Sequence, residues 1–126
     1  MPKDFFWELY DEIEKIEGTR CSVDWYNTMS CTYNKNTYDK LPEMIFEIDG
    51  KQYKVPRESL YVQLDEEDSL SSLFGKSQLV VEVTYIDGWD EWLLGLTFLE
   101  NYYAVYDMDS QSLGFAISKS SSMANL

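Results

Sequence analysis

The 126-residue sequence contains no histidine. That absence removes the Ser-His-Asp and Cys-His pairs of nucleophilic catalysis. It also removes the HExxH zinc site and the two-His-one-carboxylate iron site. Cysteine is scarce as well, and two cysteines without an imidazole cannot close a structural zinc site. Positive charge is in short supply: Lys and Arg number 10 against 23 Asp and Glu, a formal charge of −13. Phosphate backbones and anionic lipid surfaces are bound by clustered cations, so no nucleic acid and no anionic membrane is expected as a partner. No apolar run approaches the roughly 20 residues of a membrane-spanning helix, so no membrane span is expected. The charged start Met1-Pro2-Lys3-Asp4 does not read as a signal peptide, and no Asn-x-Ser/Thr sequon occurs. What polar chemistry remains must rest on carboxylates, Lys, Tyr or Ser.

Apolar residues are plentiful. The hydrophobic share is 44% and the aromatic share 16%, enough for one packed domain and too much for a disordered acidic tail. Residues 4 to 17 place Phe6, Leu9, Ile13 and Ile16 at helical spacing. Pro2 suits the first turn, acids crowd the positive end of the helix dipole, and Gly18 fits a C-cap. The expectation is an amphipathic helix that packs one face on a sheet and carries no site. Residues 18 to 40 are polar and rich in Asn and Tyr, and read as irregular. The period then changes to two: Met44, Phe46 and Ile48 alternate with Glu43, Ile45 and Glu47. Asp49-Gly50 follows, then Gln52 to Val55, the strongest short-range hairpin signal because a type I′ turn needs positive φ at both central residues. Pro56 ends the second strand.

Ser59 to Leu64 reads as a further short strand, 65 to 72 as an acidic serine-containing loop, and Gln78 to Ile86 as a β-branched strand closed by Asp87-Gly88. Trp92-Leu93-Leu94 is a short apolar run ending in Gly95. Tyr102 to Tyr106 and Gly114 to Ile117 read as strands around a polar turn at 107 to 111. The last residues form a Ser-rich tail, expected to be mobile. One helix and six or seven short strands make a mainly β domain.

Asp107-x-Asp109-x-Gln111 begins like a calcium loop, but Ser112 stands where glycine is needed and Ser118 where a bidentate Glu is needed, so a plain hairpin turn is expected. The run Asp65-Glu66-Glu67-Asp68 reads as a solvated, self-repelling loop rather than a cation site. Cys21 and Cys31 flank a polar aromatic loop. In a reducing compartment they would be free thiols; in an oxidising one a bridge would close a small loop.

The C-terminal third carries a specific pattern: Trp92-Leu93-Leu94-Gly95, then Phe98-Leu99, then Tyr102-Tyr103-Ala104-Val105-Tyr106-Asp107, then Leu113-Gly114-Phe115-Ala116. In order and spacing it resembles the end of a pepsin-like aspartic peptidase. Upstream, Leu41-Pro42-Glu43-Met44-Ile45-Phe46-Glu47-Ile48-Asp49-Gly50-Lys51-Gln52-Tyr53 resembles that family's Leu-Pro-x-Ile-x-Phe-x-Ile-x-Gly-x-x-Tyr hairpin, and the helix at 4 to 17 resembles the one after its second active-site loop. The resemblance covers nearly the whole chain but only part of one lobe of a two-lobed enzyme. It implies a mainly β fold, part of the C-terminal lobe of a pepsin-like acid-protease β-barrel with one N-terminal amphipathic helix. Residues 1 to 118 would be the partial lobe and 119 to 126 the flexible tail.

The family hydrolyses peptide bonds with two Asp that share a proton and activate water, and it uses no metal or other cofactor. Each Asp opens an Asp-Thr/Ser-Gly loop. No Asp in this chain does so, hence no catalytic residue is assigned and the chain alone is expected to be inactive. By the same resemblance Trp92, Leu94 and Gly95 belong to the loop supporting the active-site Asp, with glycine expected because backbone passes close by. Leu93 matches a substrate-binding position in the primed cleft, a buried β residue being the plain alternative. Leu96 departs from the Asp that many members place after this Gly. The implied setting is secretory, vacuolar, lysosomal or extracellular, which favours a Cys21–Cys31 disulfide, a local variant of the family's longer-loop bridge.

The implied partners are a peptide or protein substrate of the parent enzyme and a missing N-terminal lobe. Cut strands would leave the chain marginal or oligomeric. A non-catalytic peptide- or protein-binding module on a degenerate pepsin fold is the alternative. A retroviral-type symmetric dimer is excluded, since it needs one Asp-Thr/Ser-Gly per chain.

Overall fold

In the computed structural model, residues 1–64 and 76–125 are described. The acidic loop read at 65 to 72, with Asp65 to Asp68, lies outside them. Helix α1 spans Lys3–Glu14 and buries Phe6 and Ile13, two positions of the apolar stripe. The amide of Phe6 donates to the Pro2 carbonyl at 3.1 Å, so the proline opens the helix from just outside it. The helix stops before residue 17. The amide of Ile16 bonds Ile13 O and that of Thr19 bonds Ile16 O, each at 3.1 Å, turning the chain away. Gly18 does adopt φ +82, but in this following turn rather than as the cap.

The stretch 18 to 40 is not irregular. Strands β1, Arg20–Val23, and β2, Met29–Tyr33, form a hairpin, followed by a 3₁₀ helix over Lys35–Lys40. Only Met29, Cys31 and Tyr33 of β2 face the core, with Ser30 and Thr32 between them, so the apolar signal is thin. Strands β3, Met44–Ile48, and β4, Lys51–Val55, pair as the Asp-Gly signal predicts, with Asp49 at φ +52 and Gly50 at φ +76. A single turn, α2, Arg57–Leu60, precedes β5, Tyr61–Leu64, which takes only the second half of the strand expected from Ser59.

Strand β6 covers Ser77–Val81 and stops there, well short of Ile86. The amide of Glu82 turns to Leu60 O and that of Val83 folds back on Val81 O, both at 2.8 Å, which takes the chain out of the ladder. Helix α3, Leu96–Leu99, leads into the hairpin of β7, Tyr102–Asp107, and β8, Ser112–Ile117.

These strands make three antiparallel sheets: β1-β2-β6-β5, β3-β4 and β7-β8. The fold is mainly β with one substantial helix, as expected, but no sheet closes among the described residues and a barrel is not formed there. One core joins the pieces, centred on Phe6, Ile13, Met29, Tyr33, Leu60, Tyr61, Leu79 and Val81. Two of its phenols are tied off: Tyr61 Oη donates to Pro42 O and Tyr102 Oη to Lys54 O, each at 2.6 Å. Burial raises both phenol pKa values, so the hydroxyls stay protonated donors.

The segment expected to be a mobile tail, 119 to 126, carries local structure through residue 125. A 3₁₀ turn covers Ser122–Asn125 and seats Met123 in the core. Ser121 Oγ donates to Asn101 Oδ1 at 2.6 Å, while Asn101 Nδ2 donates to Ser59 Oγ at 2.9 Å and Thr97 O at 3.0 Å. A buried asparagine with both ends satisfied thus fastens the C-terminal segment to α2 and α3.

Candidate functional site

Beyond Val81 the backbone runs without ladder partners from 82 to 95. Asp87-Gly88 reverses it, with Gly88 at φ +81 and the Trp89 amide on Ile86 O at 3.1 Å. This run forms one wall of an apolar groove of about 290 Å³, with Phe46, Val55 and Leu60 on the other side. Trp92, Leu93, Leu94 and Gly95 all line it. Trp92 is wedged between Phe5 at 5.1 Å and Phe46 at 5.2 Å between ring centroids, and Phe46 in turn meets Phe98 at 5.8 Å. The Gly95 carbonyl accepts the amides of Phe98 and Leu99, at 3.1 and 2.9 Å, and so starts α3.

Leu93 is 77% exposed on the groove's lip, in no strand, which removes its reading as a buried β residue. The reason expected for Gly95 is absent too: its φ is −92, and a Cβ there would meet no atom within 4 Å. Cys21 and Cys31 lie elsewhere, directly opposite in β1 and β2, and are joined in a disulfide. Polar lining that the sequence did not point to comes from Glu82, Thr84, Glu91 and Thr97. Thr84 O also accepts the Met1 ammonium at 2.9 Å, a group whose pKa is lowered by partial burial. Broken periodicity between 82 and 95 left no signal for these positions.

The carboxylates are occupied locally or exposed. Asp107 Oδ1 accepts the amides of Asp109 at 3.0 Å and Ser110 at 3.4 Å; the Ser110 hydroxyl first, then these amides, favour its charged form and lower its pKa, so the loop that begins like a calcium site is a capped hairpin turn. Asp87 pairs with Lys3 at 2.9 Å. Glu43 holds Lys54 at 2.7 Å and Arg57 at 2.8 Å. Among the described residues no Asp or Glu is buried, and no group of three or more His, Cys, Asp or Glu is arranged to hold a metal. No described helix is long and apolar enough to cross a membrane. The groove can therefore receive apolar groups, while a carboxylate pair able to share a proton is not found among these residues.

Comparison with known proteins fits this geometry. The family described as eukaryotic aspartyl protease matches residues 6–118. Gastricsin of Suncus murinus is 32% identical over 103 residues, 79% of this chain and 24% of the relative. Pepsin II-2/3 of Oryctolagus cuniculus is 33% identical over 104 residues, 82% of this chain and 24% of the relative. Gastricsin of Homo sapiens is 33% identical over 104 residues, 80% of this chain and 24% of the relative. The chain thus spans about a quarter of the length of the curated relatives it matches.

Proposed function

Since the chain belongs to the eukaryotic aspartyl protease family, we propose that it is the C-terminal-lobe portion of a pepsin-like endopeptidase and has no peptidase activity alone. The parent cleaves peptide bonds with two aspartates, neither of which this polypeptide contains. In this reading Trp92, Leu94 and Gly95 support the catalytic loop, and Leu93, on the groove lip, contacts the apolar side chains of the substrate. A secretory-pathway route for the parent is supported by the Cys21–Cys31 bridge, because such bonds persist in oxidising compartments.

The observation that carries the reading is the β7–β8 hairpin. Tyr106, Leu113 and Ile117 are exposed on one face, and Tyr103 and Val105 on the other. Neither outer edge has a partner strand among the described residues. Antiparallel strands apolar on both faces are built to be covered on both, so a missing lobe is the natural occupant.

Two measurements test this. The 126-residue chain should leave an unfolded protein substrate intact at acid pH; pepstatin-sensitive hydrolysis would overturn the assignment. Reading the transcript upstream of Met1 should reveal an in-frame Asp-Thr/Ser-Gly. An in-frame stop would instead favour a non-catalytic binding module, a reading supported by the exposed carboxylates and the open apolar groove.

A further inference from the structure

The β1–β2 turn holds two aromatic side chains almost wholly in water: Trp25 is 99% exposed and Tyr26 85%. A loose loop would fold such rings down, yet this turn is fastened from several sides. Asp24 Oδ1 accepts the amides of Tyr26 and Thr28, each at 2.9 Å. The Asp24 amide donates to Thr28 O, and the Asn27 amide to Asp24 O, both at 3.1 Å. Asn27, at φ +58, donates from Nδ2 to Tyr85 O at 3.0 Å. Thr84 Oγ1 lies 3.2 Å from Asn27 O and 3.4 Å from Tyr26 O. The disulfide staples the strands below. With the backbone held, ordering on binding is confined to the two χ torsions of each ring, a small entropy cost that suits Trp and Tyr as anchors.

The chemistry beside them is specific. Both bonds to Asp24 fall on Oδ1, and Oδ2 has no partner among the described residues. No Lys or Arg occurs from Asp24 to Thr28, and the cation near Tyr85, Lys3, is committed to Asp87. An exposed indole next to a carboxylate with a free oxygen offers a guanidinium both a π face and a hydrogen-bonding anion. The net charge of −13 draws such a partner in and rejects acidic ones.

We propose that the β1–β2 tip is a docking site for an arginine-rich segment of a partner protein, with Asp24 and Trp25 receiving a guanidinium and Tyr26 flanking it. Asp24, Trp25 and Tyr26 are not among the groove-lining residues, although Thr84, which is, braces their turn; the docking role of the tip does not depend on the reading of the groove.

The test is calorimetric titration of the full chain with octa-arginine at about 0.15 M salt, where long-range attraction is screened. Octa-arginine should bind, octa-lysine several-fold more weakly. Trp25→Ala should weaken octa-arginine about tenfold or more, in the range of an interface anchor. Asp24→Asn keeps an Oδ1 acceptor for the two amides and should weaken it several-fold. Glu8→Gln with Glu12→Gln, which removes more charge from α1, should change it less than twofold. Equal loss in the α1 variant, or an unchanged Trp25→Ala, would mean diffuse attraction and overturn the proposal. So would binding to phosphatidylcholine vesicles with none to octa-arginine, the mark of a membrane anchor.

Discussion

Single residues set conditions here that their neighbours cannot relax. Gly50 sits at φ +76, where a side chain is strained even though a Cβ would touch nothing. Gly50→Ala is expected to cost about 1 kcal/mol, read as a lower urea midpoint with an unchanged slope. Glu43 is a second case. Its carboxylate bonds Lys54 and lies beside Arg57, which lowers its pKa against a smaller opposing effect of burial. Folding therefore gains from its ionised form above the ordinary carboxylate range, and that gain fades as pH falls through the lowered value. The pair is partly solvent-screened, so the stake is of order 1 kcal/mol. Glu43→Gln should flatten the fall in melting temperature between about pH 5 and pH 3 relative to the parent chain.

At the scale of elements, one aromatic cluster joins sheets that share no strand. Phe98 of α3 stacks on Tyr102 at 4.7 Å and meets Phe115 at 5.5 Å, while Phe46 and Tyr53 approach from the β3–β4 hairpin. Phe98→Ala is expected to cost about 3–5 kcal/mol. It should also loosen β7–β8, seen as faster amide exchange there than in β2 and β6. The disulfide acts on one hairpin only. Replacing both Cys21 and Cys31 with Ser should cost about 2–3 kcal/mol by loop entropy, measured in denaturant, while β3–β4 keeps its amide protection.

The hairpins differ in how plainly the chain announces them. Asp49-Gly50 between alternating strands declares β3–β4. The Tyr-rich run at 102–106 and Leu-Gly-Phe-Ala at 113–116, with the resemblance they carry, declare β7–β8. The β1–β2 hairpin is hidden because β2 alternates Met, Cys and Tyr with Ser and Thr, β1 is only Arg-Cys-Ser-Val, and a five-residue turn replaces the Asp-Gly signal. The end of β6 was equally silent. It is decided by Glu82 bonding to Leu60, a contact between distant residues that local spacing does not encode. The same holds for the site: Trp92 to Gly95 were legible, but Glu82, Thr84, Glu91 and Thr97 come to the groove only through the fold. Nor does the Ser-rich composition of the tail announce the burial of Met123 or the bond of Ser121 to Asn101.

Taken whole, the molecule balances two opposed surfaces. Its charge of −13 repels copies of itself, while the two-faced β7–β8 hairpin invites association through its open edges. Sedimentation velocity should show the chain monomeric at low salt and associating as salt screens the repulsion. Tyr106→Lys with Leu113→Lys should restore the monomer at high salt. A sharp monomer at every salt and concentration would remove the case for a covered hairpin.

The placement of the Cys21–Cys31 bridge has one more outcome, in the fate of a cut chain. The two most exposed aromatic residues among those described, Trp25 and Tyr26, lie inside the loop that the bridge closes. A cut there by a peptidase that prefers aromatic residues would release nothing. The nicked molecule would gain one water in mass, migrate with the intact chain without reductant and part into two pieces with it. A break at the exposed tip would thus be contained by the bridge beneath it.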